Sequence, residues 1–211
     1  MKTKTNFYGL LVLFIWVISG CASVYQASET ELSGGEVKTI AILPFEVTVQ
    51  YNRLPKKVTP EQIRENEYEL GFVFQNQIYN RFLQKKHKFA VNFQDVDKTN
   101  MMLKRNQIDI YNLAEFSKDE LARLLEVDEV ISGHVITSKP MSTGAALAVG
   151  ILFDVWGPTN TAEVTVSLHS GRDSELLWKF NHIYSGGVGS SPEQLTHAMM
   201  GPVSRKFPYK S

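Results

Sequence analysis

The sequence of 211 residues contains a single cysteine, Cys21, so an intramolecular disulfide is excluded and the fold depends on its core for stability. Neither sign of charge is in excess, with 22 Lys and Arg against 22 Asp and Glu, whereas nucleic-acid-binding proteins usually carry a basic stripe. No P-loop, GxSxG, HExxH, CxxC or dinucleotide-binding glycine motif occurs. These absences argue against a nucleic-acid partner and against the common classes of enzyme.

The first 20 residues have the composition of a secretory signal peptide. Lys2 and Lys4 form a basic start, and residues 7–19 form an apolar run without a charge. This run is shorter than the roughly 20 apolar residues that a membrane-spanning helix needs. Ser19 and Gly20 are small, and they predict cleavage between Gly20 and Cys21.

The sequence Ile18-Ser19-Gly20-Cys21 resembles the lipobox of bacterial lipoproteins. In that family the cysteine becomes the first residue of the mature protein and carries two or three acyl chains, which hold a protein stably on a membrane. The resemblance implies that Cys21 is acylated. The residue after Cys21 is Ala22 and not Asp, which in that family favours the outer membrane, with the protein facing the periplasm. A secreted protein with a free cysteine and an uncleaved signal anchor are the alternatives.

The remaining chain is long enough for one domain with a good core. Residues 21–36, rich in Ser, Glu and Gly, predict a lipidated flexible tether, and residues 37–211 predict a single periplasmic domain. The pattern indicates an α+β fold, or α/β sandwich, with a mixed sheet of about four to five strands and three to four helices. The predicted order is β-α-β-α-α-β-β-β-α.

Periodicity and turn residues give the predicted elements. The apolar run Ile40–Leu43 predicts a strand covered on both faces, and Pro44 ends it. Thr59 and Ser117 each begin a capping box at the start of a helix. Further strands are predicted at 89–93, 129–138, 161–170 and 176–184, and helices at 59–86, 97–106, behind Ser117 and at 191–205.

An apolar insertion, residues 141–160, separates two of the predicted strands. It is too short to cross a bilayer as a helix, and it lacks the alternation of a membrane hairpin. It is interpreted as a buried connection, as an exposed patch that binds a partner or a second copy, or as a segment that enters the membrane surface. The candidate contact residues are Leu147, Val149, Ile151, Leu152, Phe153, Val155 and Trp156.

Two groups of residues have the chemistry of a site. His134, His169 and His182 could ligate zinc or copper, and a metal site requires side chains that converge. Alternation places His169 opposite the apolar face of its strand, whereas His182 shares a face with Trp178 and Phe180. Ser132, His134 and Asp128 could form a triad, but no nucleophile elbow or oxyanion-hole signal accompanies them. Asp128 and Glu129 are more simply the solvated start of a strand. The sequence therefore predicts no catalytic residue, no metal and no cofactor.

Three short motifs resemble one superfamily, which comprises curli-secretion-channel lipoproteins, lipoprotein activators of penicillin-binding proteins and the N-terminal domain of TolB-like proteins. They are Lys38–Phe45 after the lipobox, Asp128–Val135, and the turn Gly171–Trp178. The resemblance covers about residues 37–205 and implies a TolB N-terminal-like, or anticodon-binding-like, fold. It carries over no catalytic residue and implies proteins that act by assembling or by binding partners.

Three functions follow from these observations. The first is a non-enzymatic lipoprotein whose periplasmic domain binds or assembles cell-envelope proteins, with 141–160 as the contact. The second is a subunit of an oligomeric export channel in the outer membrane, of the curli type. The third is an enzyme of the cell envelope, which requires a cleft with titratable groups.

Overall fold

The computed structural model describes residues 22–28, 37–51, 59–139, 161–185 and 192–210. Two short 3-10 turns lie at Lys86–Lys88 and Leu113–Glu115. The strands and α-helices are, in chain order, β1 (Ser23–Gln26), β2 (Thr39–Ile42), β3 (Glu46–Tyr51), α1 (Pro60–Gln84), β4 (Asn92–Phe93), α2 (Val96–Arg105), α3 (Lys118–Leu125), β5 (Glu129–Lys139), β6 (Thr161–Ser170), β7 (Leu176–Ser185) and α4 (Pro192–Lys206).

The strands form one mixed sheet in the order β1-β7-β6-β5-β2-β4. β2 pairs with the first residues of β5, and β3 pairs with the rest of the same edge, from His134 to Lys139. The pairs among β2, β3, β4 and β5 are parallel, whereas β5, β6, β7 and β1 pair antiparallel. The sheet is therefore parallel on one side and an antiparallel meander on the other.

Helices cover the two faces of the sheet unequally. α1 and α4 pack on one face, where Phe74 and Met199 join the larger core. α2 and α3 pack on the opposite face over β2 and the start of β5, in a smaller core that includes Leu121. Ile40 belongs to the larger core and Ala41 to the smaller one, so β2 is buried on both faces, as its continuous apolar run predicted.

Local capping interactions define the starts of α1 and α3. The Thr59 side chain accepts a hydrogen bond from the amide of Gln62, and the Gln62 side chain accepts one from the amide of Thr59. Ser117 and Glu120 make the same reciprocal pair before α3. Both capping boxes confirm the predicted helix starts, because they satisfy amides that have no partner within the helix.

Two glycines allow close packing around Phe45. A Cβ atom on Gly133 of β5 would overlap the Phe45 ring, and one on Gly71 of α1 would overlap its carbonyl oxygen. The Phe45 amide donates to the Gly71 carbonyl oxygen over 3.1 Å. Gly71 thus brings α1 into contact with the residue that precedes β3.

The α+β class and the order of the predicted elements are confirmed, but the sheet has more strands than expected. β3 was missed, and β4 is shorter than the strand predicted at 89–93. The tether predicted for residues 21–36 is wrong over Ser23–Gln26, which form β1. The reason is that β1 has no apolar alternation of its own and is held by backbone pairing with β7.

Candidate interaction surface

No described helix covers the face of the sheet opposite α1 and α4 beyond the small core, and we call this surface the open face. Strand register places Ser132 and His134 of β5 beside Ser167 and Thr165 of β6. None of the side chains on this face is fully buried. Its other members are Glu46, Thr48, Ile136, Glu163, Lys179, Asn181, Ile183 and Tyr25. The open face is thus a broad polar surface with a few large apolar side chains.

A cavity of about 210 Å³ lies where the start of α3 meets the open face. Glu46, Lys118 and His134 contribute to its wall. Burial lowers the pKa of the Lys118 ammonium, and the carboxylate of Glu46 acts in the opposite direction. Nε2 of His134 lies 3.4 Å from the Thr48 hydroxyl. The wall of this cavity carries both an acidic and a basic side chain, which suits contact with a polar surface.

The three histidines do not form one cluster. His134 and His169 lie on the open face, whereas His182 pairs with Val164 and points to the larger core, where its ring packs 4.4 Å from that of Tyr184. The faces predicted for His169 and His182 within their own strands are therefore observed. Across the part of the chain that the structure describes, no group of three or more His, Cys, Asp or Glu residues could hold a metal ion.

The side chain of Asp128 bonds to a backbone amide and takes no part in a triad with Ser132 and His134. One of its carboxylate oxygens accepts a hydrogen bond from the amide of Thr39 over 2.7 Å, and its carbonyl oxygen accepts one from Gly171 over 2.8 Å. Asp128 thus joins the start of β2 to the β6–β7 turn. Ser132 and His134 share the open face without it.

Glu129 is buried, which corrects its interpretation as the solvated start of a strand. Only 1% of it is exposed, and its Oε1 accepts hydrogen bonds from Nζ of Lys38 and from the phenol of Tyr209. Burial raises its pKa, while these two bonds act in the opposite direction. The sequence held one signal for this position: Glu129 is two residues from Ile131 and so shares the face of the larger core.

Two further cavities lie away from the open face. One, of about 480 Å³, lies between α1 and α2 and is walled mainly by apolar and aromatic residues, among them Tyr68, Phe72 and Leu103. The other, of about 180 Å³, is bordered by Glu129 and Arg172. The first is a groove of apolar character, and the second is small and of mixed charge.

The residues that the sequence singled out most strongly lie outside the described ranges. These are Gly20, Cys21 and the segment 141–160, with Leu147, Val149, Ile151, Leu152, Phe153, Val155 and Trp156. Their described neighbours show where they join the fold. β1 begins two residues after Cys21. Ser138 and Thr161, on either side of the segment 141–160, are paired between β5 and β6. The segment therefore connects adjacent strands at one end of the sheet.

Among the helices with described residues, none combines the length and the apolar character that crossing a membrane requires.

Comparison with known proteins concerns the fold. No protein-family model matches the sequence, and no curated protein matches it. The structure is similar to the lipoprotein GNA1162 from Neisseria meningitidis, with a TM-score of 0.44 and 10% identity over 81% of this chain and 99% of that chain. It is also similar to PelC from Paraburkholderia phytofirmans, which is a dodecamer, with a TM-score of 0.38 and 13% identity over 87% and 94%. The C-terminal domain of LpoB from Salmonella enterica gives 0.35 and 7% over 74% and 90%.

Proposed function

We propose that this protein is a non-enzymatic lipoprotein, anchored in the outer membrane through acylated Cys21, whose periplasmic domain binds or assembles cell-envelope proteins. The observation that carries the proposal is the place of β1, which begins two residues after Cys21 and pairs with β7. Two extended residues span about 7 Å at most. The anchor would therefore continue directly into the sheet and hold the domain against the membrane, where its partners are other envelope components.

The open face and the edge strand support a role in protein binding. All four residues of β1 are exposed, and β1 lies at the edge of the sheet. An edge strand can pair with an extended segment of a partner. On the open face, Tyr25 and Ile183 are 51% and 59% exposed. Large apolar side chains on a polar surface are common at the centres of protein–protein contacts.

The positions of the titratable groups support a non-enzymatic role. Asp128 bonds to backbone amides, Glu129 is buried beneath the C-terminal residues, and His182 lies on the opposite side of the sheet from His134. Acid–base chemistry requires groups that converge on one cleft. These candidate acid–base groups lie in three separate parts of the domain and do not share a cleft.

The segment 141–160 is the proposed contact with the partner or with a second copy. Its apolar residues are concentrated between Leu147 and Trp156, and the strands on either side of it end together at Ser138 and Thr161. A contact at this point would extend the β5–β6 hairpin away from the domain.

The first test extracts the full-length protein in mild detergent after labelling with palmitate, and measures its native mass and the proteins that co-purify with it. We expect label on the wild type and none on Cys21→Ala, and a stoichiometric envelope partner. A complex of many identical copies would favour the export-channel alternative. An unlabelled monomer without a partner would refute the proposal.

A further inference from the structure

The C-terminal ends of α1 and α4 lie together and carry a cluster of basic side chains, which we call the basic end. Residues 81–90 and 204–210 contain no Asp or Glu. The chain as a whole has balanced charges, so this surface is locally cationic against a neutral background. The members of the basic end are Arg81, Lys85, Lys86, Lys88, Arg205, Lys206 and Lys210.

Direct contacts hold the two helix ends together. Nζ of Lys85 donates to the hydroxyl of Ser204 over 3.0 Å and lies 3.4 Å from the carbonyl oxygen of Met200. After the helices, Phe89 and Lys210 form an antiparallel bridge. The two helix ends that carry the basic end are therefore held side by side by packing and hydrogen bonds.

The basic end concentrates positive charge that no described carboxylate neutralises in an ion pair. The ion pairs of the described residues are Lys38–Glu129, Arg64–Glu61, Lys98–Glu126 and Arg123–Asp119, and they use none of its side chains. Burial, together with the positive charges of Lys88, Arg205 and Arg81, lowers the pKa of Lys85. Except for Lys85 and Arg81, the members are exposed.

One contact joins the basic end to the anchor. Nζ of Lys206 lies 3.4 Å from the carbonyl oxygen of Ala22, and Ala22 directly follows Cys21. The side chain of Ala22 packs against the larger core, to which α4 also contributes. The residue next to the acylated position is thus in contact with the cationic surface.

We infer that the basic end is a membrane-docking surface that binds anionic phospholipid headgroups beside the anchor. The inference rests on the proposed function in one respect, the acylation of Cys21. Each Lys or Arg held near an anionic membrane strengthens binding by about fivefold. Leu83, at the same helix end, is 39% exposed and can enter the interface between headgroups and acyl chains. The docked domain would stand with the ends of α1 and α4 on the bilayer.

The position of the cluster selects lipid over an acidic protein as the occupant. A surface that touches the residue after the lipid anchor lies within a few ångströms of the headgroups, which is inside the Debye length of about 8 Å at physiological salt. Acyl chains alone would leave the domain free to rotate about Cys21. The polybasic patch would fix the orientation of a domain that the acyl chains already hold on the membrane.

The test reconstitutes the full-length acylated protein into vesicles of phosphatidylcholine, with or without phosphatidylglycerol, and measures amide hydrogen exchange. We expect residues 85–90 and 205–210 to exchange at least about threefold more slowly on vesicles with phosphatidylglycerol, and the difference to vanish in roughly 1 M NaCl, where the Debye length is about 3 Å. Equal exchange on the two kinds of vesicle would overturn the inference. Failure to stay on phosphatidylcholine vesicles would instead refute the anchor.

A matched pair of variants localises the effect. Lys86→Glu with Lys88→Glu reverses two exposed cations at the end of α1, and it should remove the protection given by phosphatidylglycerol. Lys104→Glu with Arg105→Glu makes the same change of charge at the end of α2 and should keep it. Protection that survives reversal at Lys86 and Lys88, or that is lost equally in the control, would overturn the assignment to the basic end.

Discussion

The phenol of Tyr209 donates a hydrogen bond of 2.5 Å to Oε1 of Glu129, and Nζ of Lys38 lies 3.0 Å from the same oxygen. The other carboxylate oxygen, Oε2, is buried without a hydrogen-bond partner among the described residues. One buried carboxyl therefore fastens three parts of the chain together: the residue before β2, the start of β5 and the segment after α4. Two predictions test this relationship.

Tyr209→Phe should lower the free energy of unfolding by about 1–3 kcal/mol, because a buried acceptor loses a partner. Urea denaturation at neutral pH measures the change. Tyr111→Phe is the matched control, since its hydroxyl bonds to the carbonyl oxygen of Arg64 at an exposed position, and it should change stability by less than about 0.5 kcal/mol. Equal effects of the two variants would contradict the structural role of Tyr209.

Glu129→Gln should alter the pH dependence of stability. Burial raises the pKa of Glu129 above its ordinary value of 4.5, so the folded state binds the proton more tightly than the unfolded state. The stability from this group is complete below pH 4.5 and is lost as the pH rises through the folded pKa. Gln cannot ionise, so the variant should gain stability relative to the wild type as the pH rises over that interval. Denaturation curves at a series of pH values measure this, and a constant difference would contradict it.

Asp119→Asn should show the opposite dependence on pH. Hydrogen bonds from Ser117 and Ser174, and then from Arg123, hold the pKa of Asp119 well below its ordinary value of 3.8. The stability from Asp119 is present above pH 3.8 and is lost as the pH falls through the folded pKa. The variant should be less stable than the wild type at neutral pH, and the difference should shrink in acid.

Asp97→Asn is the control for that prediction, because Asp97 occupies the same second position of α2 that Asp119 occupies in α3. Thermal unfolding followed by circular dichroism should show the smaller effect for Asp97→Asn. If both substitutions reduce stability equally, the helix dipole and not the Ser174–Arg123 network explains the effect.

Gly133→Ala should destabilise the protein by about 1–3 kcal/mol, because the new methyl group overlaps the Phe45 ring and a close-packed core accommodates added volume poorly. Gly201→Ala is the control. Apart from its chain neighbours, the nearest atom to its new methyl group would be the Arg205 guanidinium, at 3.7 Å. The helix preference of alanine and the clash of its Cβ with the ring of Pro202 act in opposite directions, so stability should change by less than about 1 kcal/mol. Chemical denaturation compares the two variants, and a neutral Gly133→Ala would refute the close contact.

Leu152→Asp with Phe153→Asp should abolish a detergent-stable complex and leave the domain folded, because charged side chains oppose burial in an apolar contact. Native mass and co-purification measure the loss. Met101→Asp, which changes a side chain that is 42% exposed on α2, should leave the complex intact. A complex that survives the double substitution would refute the contact proposed for 141–160.

Local signals predicted much of this fold. The capping boxes at Thr59 and Ser117 were predictable because each is completed within four residues, and β6 has the predicted bounds because its alternation is regular. The burial of Glu129 was not predicted, because Lys38 and Tyr209 bind it from distant parts of the chain. The open face was not predicted either, because the sequence does not specify which part of a sheet the helices cover.

The pairing of β1 with β7 also determines when the domain can be completed. Ser23 lies opposite Asn181, so β1 cannot pair with β7 until nearly all of the chain has been synthesised. A contact between residues so far apart in the sequence forms late, because closing the intervening loop has a large entropic cost. Under the proposed function, an acylating enzyme would reach Cys21 during this interval, before β1 pairs with β7. The pairing that would later hold the sheet at the membrane would thus leave time for the proposed modification.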